Sequence, residues 1–291
     1  MGVAELFQNF CDNLRMKDNT VDNIQSRYHQ IIKRINQDFW EYDSNSIHGL
    51  YVGSYGRSTE IWTSDIDILV QLPYDVYKQY DSYQNNGQSA LIQSVRNSIS
   101  TTYSQSNIRG DGQVVCVSFS DGIQFEVVPC FINKDGSFTY PDTNNGGSWK
   151  ITNPRAEIDA MNQLNKKTNK NLKHLCRMVR AWKQNCNVDM PGILIDTLAY
   201  NFISKWDYND KSYLYYDWMS RDFFEYLYQL PNNQNYWLAP GSNRFVWKGG
   251  AFQMKAKNAY DYSLKAIESM DSGYEYTARE KWSIIYGSRI N

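Results

Sequence analysis

The chain has 291 residues and 30 lysines and arginines against 31 aspartates and glutamates, a formal net charge of −1. That length allows one large domain or two moderate ones around a substantial core, and the balanced charge argues against a general nucleic-acid binder, which carries a strong basic excess. Five scattered cysteines (Cys11, Cys116, Cys130, Cys176, Cys186) form no Cys-x-x-Cys pair, which points away from zinc ribbons and disulfide frameworks and towards reduced thiols in a cytoplasmic protein.

No apolar run reaches membrane-spanning length and the N-terminus shows no signal segment, so no membrane association is expected. Residues 3–42 predict helix, because Phe7, Phe10, Leu14, Val21, Ile24, Tyr28, Ile31 and Ile35 recur at spacings of three, four or seven. A break is expected near Asn19-Thr20, and the whole helical start is expected along the back of a sheet.

Leu50-Tyr51-Val52 then reads as a strand that Gly53-Ser54 breaks. Ten residues separate Ser54 from Asp65, and Ser64-Asp65-Ile66-Asp67-Ile68-Leu69-Val70 reads as the next strand. Side chains alternate faces along a strand, so Asp65 and Asp67 point one way and Ile66 and Ile68 the other. Two carboxylates so placed repel unless a cation lies between them. Hard divalent cations such as magnesium take oxygen ligands and leave room for phosphate oxygens. The glycine lets backbone N–H groups of the turn come close to such phosphates. Alone, Gly-Ser is a common turn and Asp-x-Asp a solvated strand edge; the ordered combination is what makes the pattern specific.

Residues 75–103 predict a helix over one sheet face, with Leu91, Ile92, Val95 and Ile99 as its apolar positions. Gln113–Phe119 and Ile123–Phe131 predict a hairpin closed by a two-residue Asp121-Gly122 turn. Glu126 lies within the second of these strands. It is either an edge-strand charge or a third carboxylate facing the metal. Residues 133–150, rich in Gly, Asn, Asp and Ser, predict a loop, and Asn153-Pro154 a helix start.

The helix over 168–186 has Leu172, Leu175, Val179 and Trp182 as its apolar seam. Lys166, Lys170, Lys173, Arg177 and Arg180 form a basic stripe with Lys183 beside it, and no acid occurs between Ala160 and Asn185. Such a stripe is either a solvated face or a clamp for phosphates that the metal does not reach. Gly192–Ile203 predicts a buried helix carrying Asp196-Thr197. The remainder predicts helices with aromatic-rich connections, ending in Ala278–Gly287.

The run Gly53-Ser54-Tyr55-Gly56-Arg57-Ser58-Thr59-Glu60-Ile61, with Asp65-Ile66-Asp67, resembles the polymerase-beta-like nucleotidyltransferases, and most closely the bacterial cGAS/DncV-like branch that makes cyclic oligonucleotide signals. Trp282-Ser283-Ile284-Ile285-Tyr286-Gly287 is similar to that branch's closing motif, with Tyr286 in place of phenylalanine. The resemblance implies an α/β fold: a polymerase-beta-like sheet in residues 1–152 and a helical C-terminal lobe, 153–291, closing a nucleotide cleft. It implies a metal triad of Asp65, Asp67 and Glu126, the last where the family usually has aspartate. It also implies nucleotide contacts from Gly53, Ser54 and Arg180, with Lys173 and Lys183 as further candidates and Asn153 and Asn162 as base readers.

The expected cofactor is Mg2+, with Mn2+ as a substitute, and the expected substrates are ribonucleoside triphosphates. The resemblance further implies a cyclic dinucleotide product, antiphage signalling through a separate cyclic-nucleotide-responsive effector, and no stable nucleic-acid binding. Three alternatives share the same triad or its remnant: a terminal nucleotidyltransferase acting on RNA, a transferase modifying a protein or small molecule, and a degenerate nucleotide binder.

Overall fold

Alternation along Asp65–Gln71 decides how the sheet is covered. Ile66, Ile68 and Val70 are completely buried, whereas Asp65 is exposed and Asp67 half-buried. The computed structural model describes residues 2–61 and 65–290, so Ser64 of the motif lies outside the described residues.

In chain order the elements are α1 Val3–Asn13, α2 Asp18–Phe39, β1 Gly49–Tyr51, α3 Gly53–Gly56, β2 Asp65–Gln71, α4 Tyr74–Asp81 and α5 Gly87–Thr102. Strands β3 Asn107–Asp111, β4 Val114–Ser118, β5 Gln124–Ile132, β6 Phe138–Asp142 and β7 Ser148–Thr152 follow. Then come α6 Pro154–Lys167, α7 Asn171–Asn185, α8 Gly192–Ile203, α9 Tyr216–Gln229, β8 Tyr236–Leu238, β9 Phe245–Trp247, α10 Gln253–Asp271 and α11 Glu275–Tyr286. Two units emerge: Met16–Gly56 with Thr63–Arg155, and Met1–Arg15 with Arg57–Trp62 and Ala156–Asn291.

The first unit is a mixed sheet with helices, as the sequence led us to expect. Its strand order is β1-β2-β5-β4-β3, with β6 on β5 and β7 on β6. The β2–β5 pair is parallel and the others antiparallel. Ile66, Ile68 and Val70 pack with Ile24, Ile31 and Ile35 of α2 and Leu91, Val95 and Ile99 of α5. On the opposite face Leu69 joins Val52, Cys130 and Phe138. Burying side chains of this size contributes about 1.5–3 kcal/mol each relative to exposure, so the register that points the isoleucines inward is strongly fixed, and the aspartates follow on the other face.

Several local expectations are corrected. The N-terminal break falls at residues 14–17, and α1 belongs to the helical unit: Phe7 meets Trp282 edge-on at 5.1 Å and Tyr216 at 6.2 Å. The span 75–103 is two helices, with Asn86 in a left-handed conformation accepting from Ser89 N at 3.0 Å to cap the second. The β4–β5 turn has three residues, since Phe119 N donates to Ile123 O and Gly122 takes φ +85°. Residues 133–150 contain β6 and most of β7; their Gly, Asn and Asp residues serve turns such as Asn133–Ser137.

The second unit is helical but includes the β8–β9 hairpin. Thr168 and the left-handed Asn169 and Lys170 separate α6 from α7, so the predicted helix over 168–186 starts at Asn171. The unit's members are discontinuous in sequence, unlike a single division at 152/153, because the aromatic face of α1 finds its partners in α9 and α11. Among the described residues no helix is long and apolar enough to cross a membrane.

A buried acid in this unit gives a pH signature. Burial raises the Asp217 carboxyl to about 6, against the pull of the Trp218 N–H that donates to it at 2.7 Å. The folded state therefore holds this proton more tightly than the unfolded chain, and the associated stability, complete below the unfolded value near 3.8, is lost as pH rises through about 6. Asp217→Asn should raise the thermal unfolding midpoint by a few degrees at pH 8, where roughly 1 kcal/mol moves a protein of this size by about 2–4 °C. At pH 4 the variant should match wild type in calorimetry.

Candidate active site

The turn after β1 is built around the second aspartate. Val52 N donates to Asp67 O at 2.9 Å and Gly56 N to Val52 O at 2.8 Å, which fixes the single turn of α3 beside β2. Gly53 sits at φ +60°, and a Cβ there would collide with the Asp67 carboxylate. Glycine is thus demanded twice, by conformation and by the carboxylate lying against it. The sequence-predicted neighbours Gly53, Ser54, Asp65 and Asp67 lie on these two adjoining elements.

Glu126 reaches the same place by strand pairing. In the parallel β2–β5 register Asp67 stands opposite Glu126 and Asp65 opposite Gln124. Burial first, then the charges of Asp67 and Asp65 and a hydrogen bond with Asp67, raise the Glu126 carboxyl above its ordinary value. Such crowding is what a cation would relieve. The edge-strand reading does not describe its setting, because β5 is flanked by β2 and β4.

Among the described residues no three acidic, histidine or cysteine side chains stand in the geometry of a formed metal site. The donor chemistry nonetheless fits a hard divalent cation. All three groups offer carboxylate oxygens, and a bound cation would offset both the burial and the Asp67 and Asp65 charges that raise the Glu126 carboxyl.

The basic stripe divides by contact. Arg180 is buried, and its guanidinium donates to both oxygens of Asp196, at 2.6 and 2.9 Å, and to Gly192 O at 3.1 Å. These contacts all lie within the helical unit. Arg177 donates to Ser58 O at 2.8 Å and Glu60 O at 3.2 Å. Lys173 is half-buried and donates to Asn162 Oδ1 at 2.6 Å; burial, then the neighbouring Arg177 charge, lowers its pKa. A partly desolvated lysine beside an arginine is a setting in which an anion is favoured. Lys183 is half-buried near the end of α7, and Asn153 is half-buried between β7 and α6.

Sequence reasoning missed Arg57 and Asp196 as a pair. Arg57 Nε donates to Asp196 Oδ2 at 2.8 Å, and Thr59 Oγ1 donates to the same oxygen at 3.0 Å. Burial alone would raise the Asp196 carboxyl, but the Arg180 and Arg57 guanidiniums outweigh it and hold it at about 2. Arg57 also faces Glu157, whose other oxygen accepts from Arg244 and Ser242. The available signal was an aspartate inside the largely apolar run Gly192–Ile203.

Comparison with known proteins adds three findings. A family model described as the second messenger oligonucleotide or dinucleotide synthetase domain matches residues 1–165. A "Probable cyclic nucleotide synthase" of Bacillus cereus (strain VD146) is 24% identical over 182 residues, 58% of this chain and 53% of its own. The chain thus spans about half the length of that curated relative. Among solved structures, E. coli MS115-1 CdnC with ATP superposes with a TM-score of 0.66 at 14% identity, covering 99% of this chain and 98% of its own. Vibrio cholerae DncV cyclic AMP–GMP synthase with a linear intermediate gives a TM-score of 0.65 at 16% identity, covering 99% and 87%.

Gly53→Ala should place a methyl group against the Asp67 carboxylate and displace either the turn or the acid. The displacement should appear as faster hydrogen–deuterium exchange at the Gly53–Gly56 amides, while the variant's circular dichroism spectrum stays that of wild type.

Proposed function

The chain belongs to the family of second messenger oligonucleotide or dinucleotide synthetase domains, and we propose that it is a template-independent nucleotidyltransferase that joins two ribonucleoside triphosphates into a cyclic dinucleotide. The observation that carries this reading is the Gly53 turn packed against Asp67, with Glu126 opposite Asp67 on the parallel strand. In this reading Asp65, Asp67 and Glu126 hold magnesium, which supplies positive charge at the transferring phosphoryl group and acidifies the attacking ribose hydroxyl.

The chain's own groups do the rest. Backbone N–H groups at Gly53 and Ser54, with the Ser54 hydroxyl, receive phosphate oxygens. Lys173 and Lys183 neutralise the phosphates that do not react, Lys173 in place of the internally paired Arg180. Asn153, between the last strand and α6, is proposed to face a base. The first transfer leaves a linear dinucleotide that still carries its triphosphate. Its remaining hydroxyl then attacks its own α-phosphate, and the second pyrophosphate leaves. That step gains the effective concentration of an intramolecular reaction. The linear intermediate in the Vibrio cholerae enzyme supports a stepwise route. The product would act on a separate cyclic-nucleotide-responsive effector in antiphage signalling.

Incubation with the four ribonucleoside triphosphates and Mg2+, phosphatase digestion and mass spectrometry should yield a resistant cyclic dinucleotide. Long ladders or trimmed linear products would instead assign a polymerase. Asp65→Asn and Asp67→Asn should each reduce turnover by at least about a hundredfold, because lost charge stabilisation at the phosphoryl group is worth several kcal/mol. Their thermal midpoints should stay at or above that of wild type, since each removes a repelling charge. Lys173→Ala should raise KM for the triphosphate by roughly tenfold with kcat nearly unchanged, as expected for a cation that binds ground and transition states alike.

A further inference from the structure

Residues 57–61 lie in sequence between the Gly53-Ser54 turn and the Asp65–Asp67 strand, and the transfer chemistry above uses none of them. The structure nevertheless holds them with unusual investment in polar groups. Arg57 and Thr59 are buried, and both donate to one oxygen of Asp196, which is itself fully buried and accepts from Arg180 at both of its oxygens. Arg177 holds the main chain of the same segment at Ser58 O and Glu60 O. Ser58 adopts φ +54°, a conformation that a non-glycine residue keeps only where its surroundings over-determine it.

Fold stability alone is a poor account of this arrangement. Buried ion clusters are often no more stabilising than apolar side chains of the same volume. Their particular product is a defined position. Only Tyr55 and Gly56 separate Ser54 from Arg57, so a displacement of the arginine carries to the turn.

We propose that Asp196 is a positioning residue for nucleotidyl transfer: through Arg57 and Thr59 it anchors the segment joining the phosphate-facing turn to the carboxylate strand, and so fixes where Ser54 stands. The effect on turnover rests on the nucleotidyltransferase reading; the effect on the rigidity of the turn does not.

Asp196→Ala would leave the buried Arg180 guanidinium without its carboxylate and Arg57 with Glu157 alone and could unfold the unit, so the test uses Thr59→Val and Arg57→Lys. Hydrogen–deuterium exchange at the Gly53–Gly56 amides should accelerate by about tenfold or more in both variants, while exchange in α9 and α10 stays at wild-type rates, as expected for a local rather than global opening. In steady-state assays kcat should fall by about tenfold with KM changed less than about twofold. In a Ser54→Ala background Arg57→Lys should cost less than about twofold more, because both changes act through one turn. Unchanged exchange at Gly53–Gly56, or losses that multiply in the double variant, would overturn the proposal. Activity persisting in Asp65→Asn would sink the transferase reading and leave the exchange result to decide this one.

Discussion

Parallel pairing of β2 with β5 is the constraint on which the candidate site depends. It sets Glu126 opposite Asp67 although the two are far apart in sequence. The same register buries Ile66 and Ile68 on the other face beneath α2 and α5. Carboxylate crowding is therefore a by-product of the core. A one-residue slip that separated the acids would also expose the isoleucines. Hydrophobic burial, which is non-directional, here enforces a directional electrostatic arrangement.

The helical unit solves a different problem with charge. Its buried Asp196 accepts from Arg57, Thr59 and Arg180, so the desolvation of each group is offset by a partner. Arg57 immediately follows the glycine turn in sequence, yet its contacts lie with α8 and Glu157 of the helical unit. The motif thus divides by role. Gly53 packs against Asp67 in the sheet unit, and Arg57 and Thr59 donate to Asp196 in the helical unit. The basic stripe on α7 likewise divides: Arg180 binds the Asp196 carboxylate, Arg177 binds main-chain oxygens, and half-buried Lys173 donates to the neutral side chain of Asn162.

Residues whose meaning is local were legible in the sequence. Alternation fixed the faces of Asp65 and Asp67, and the apolar spacing fixed α2, α5 and α7. Gly53 could be read as a turn glycine from its place after an apolar strand. Readings that failed share a physical cause. The aromatic face of α1 fits the sheet or the helices equally well by periodicity, and only the presence of Trp282 and Tyr216 decides. The turn-rich composition of 133–150 hid β6 and β7, because a strand of five residues contributes little pattern between two turns.

By itself the sequence determined the chemistry available here: two carboxylates on one strand face after a Gly-Ser turn, a third acid in an apolar run, and a helix lined with cations. It determined the class of fold through hydrophobic periods that depend only on neighbours three, four or two residues away. Tertiary structure alone decided which cations are paired with a buried carboxylate and which meet only neutral groups. Arg180 and Lys173 are alike in one dimension, seven residues apart on one helix. They differ because Asp196, on another helix, neutralises the first and not the second, and no local pattern carries the coordinates of a partner across the chain.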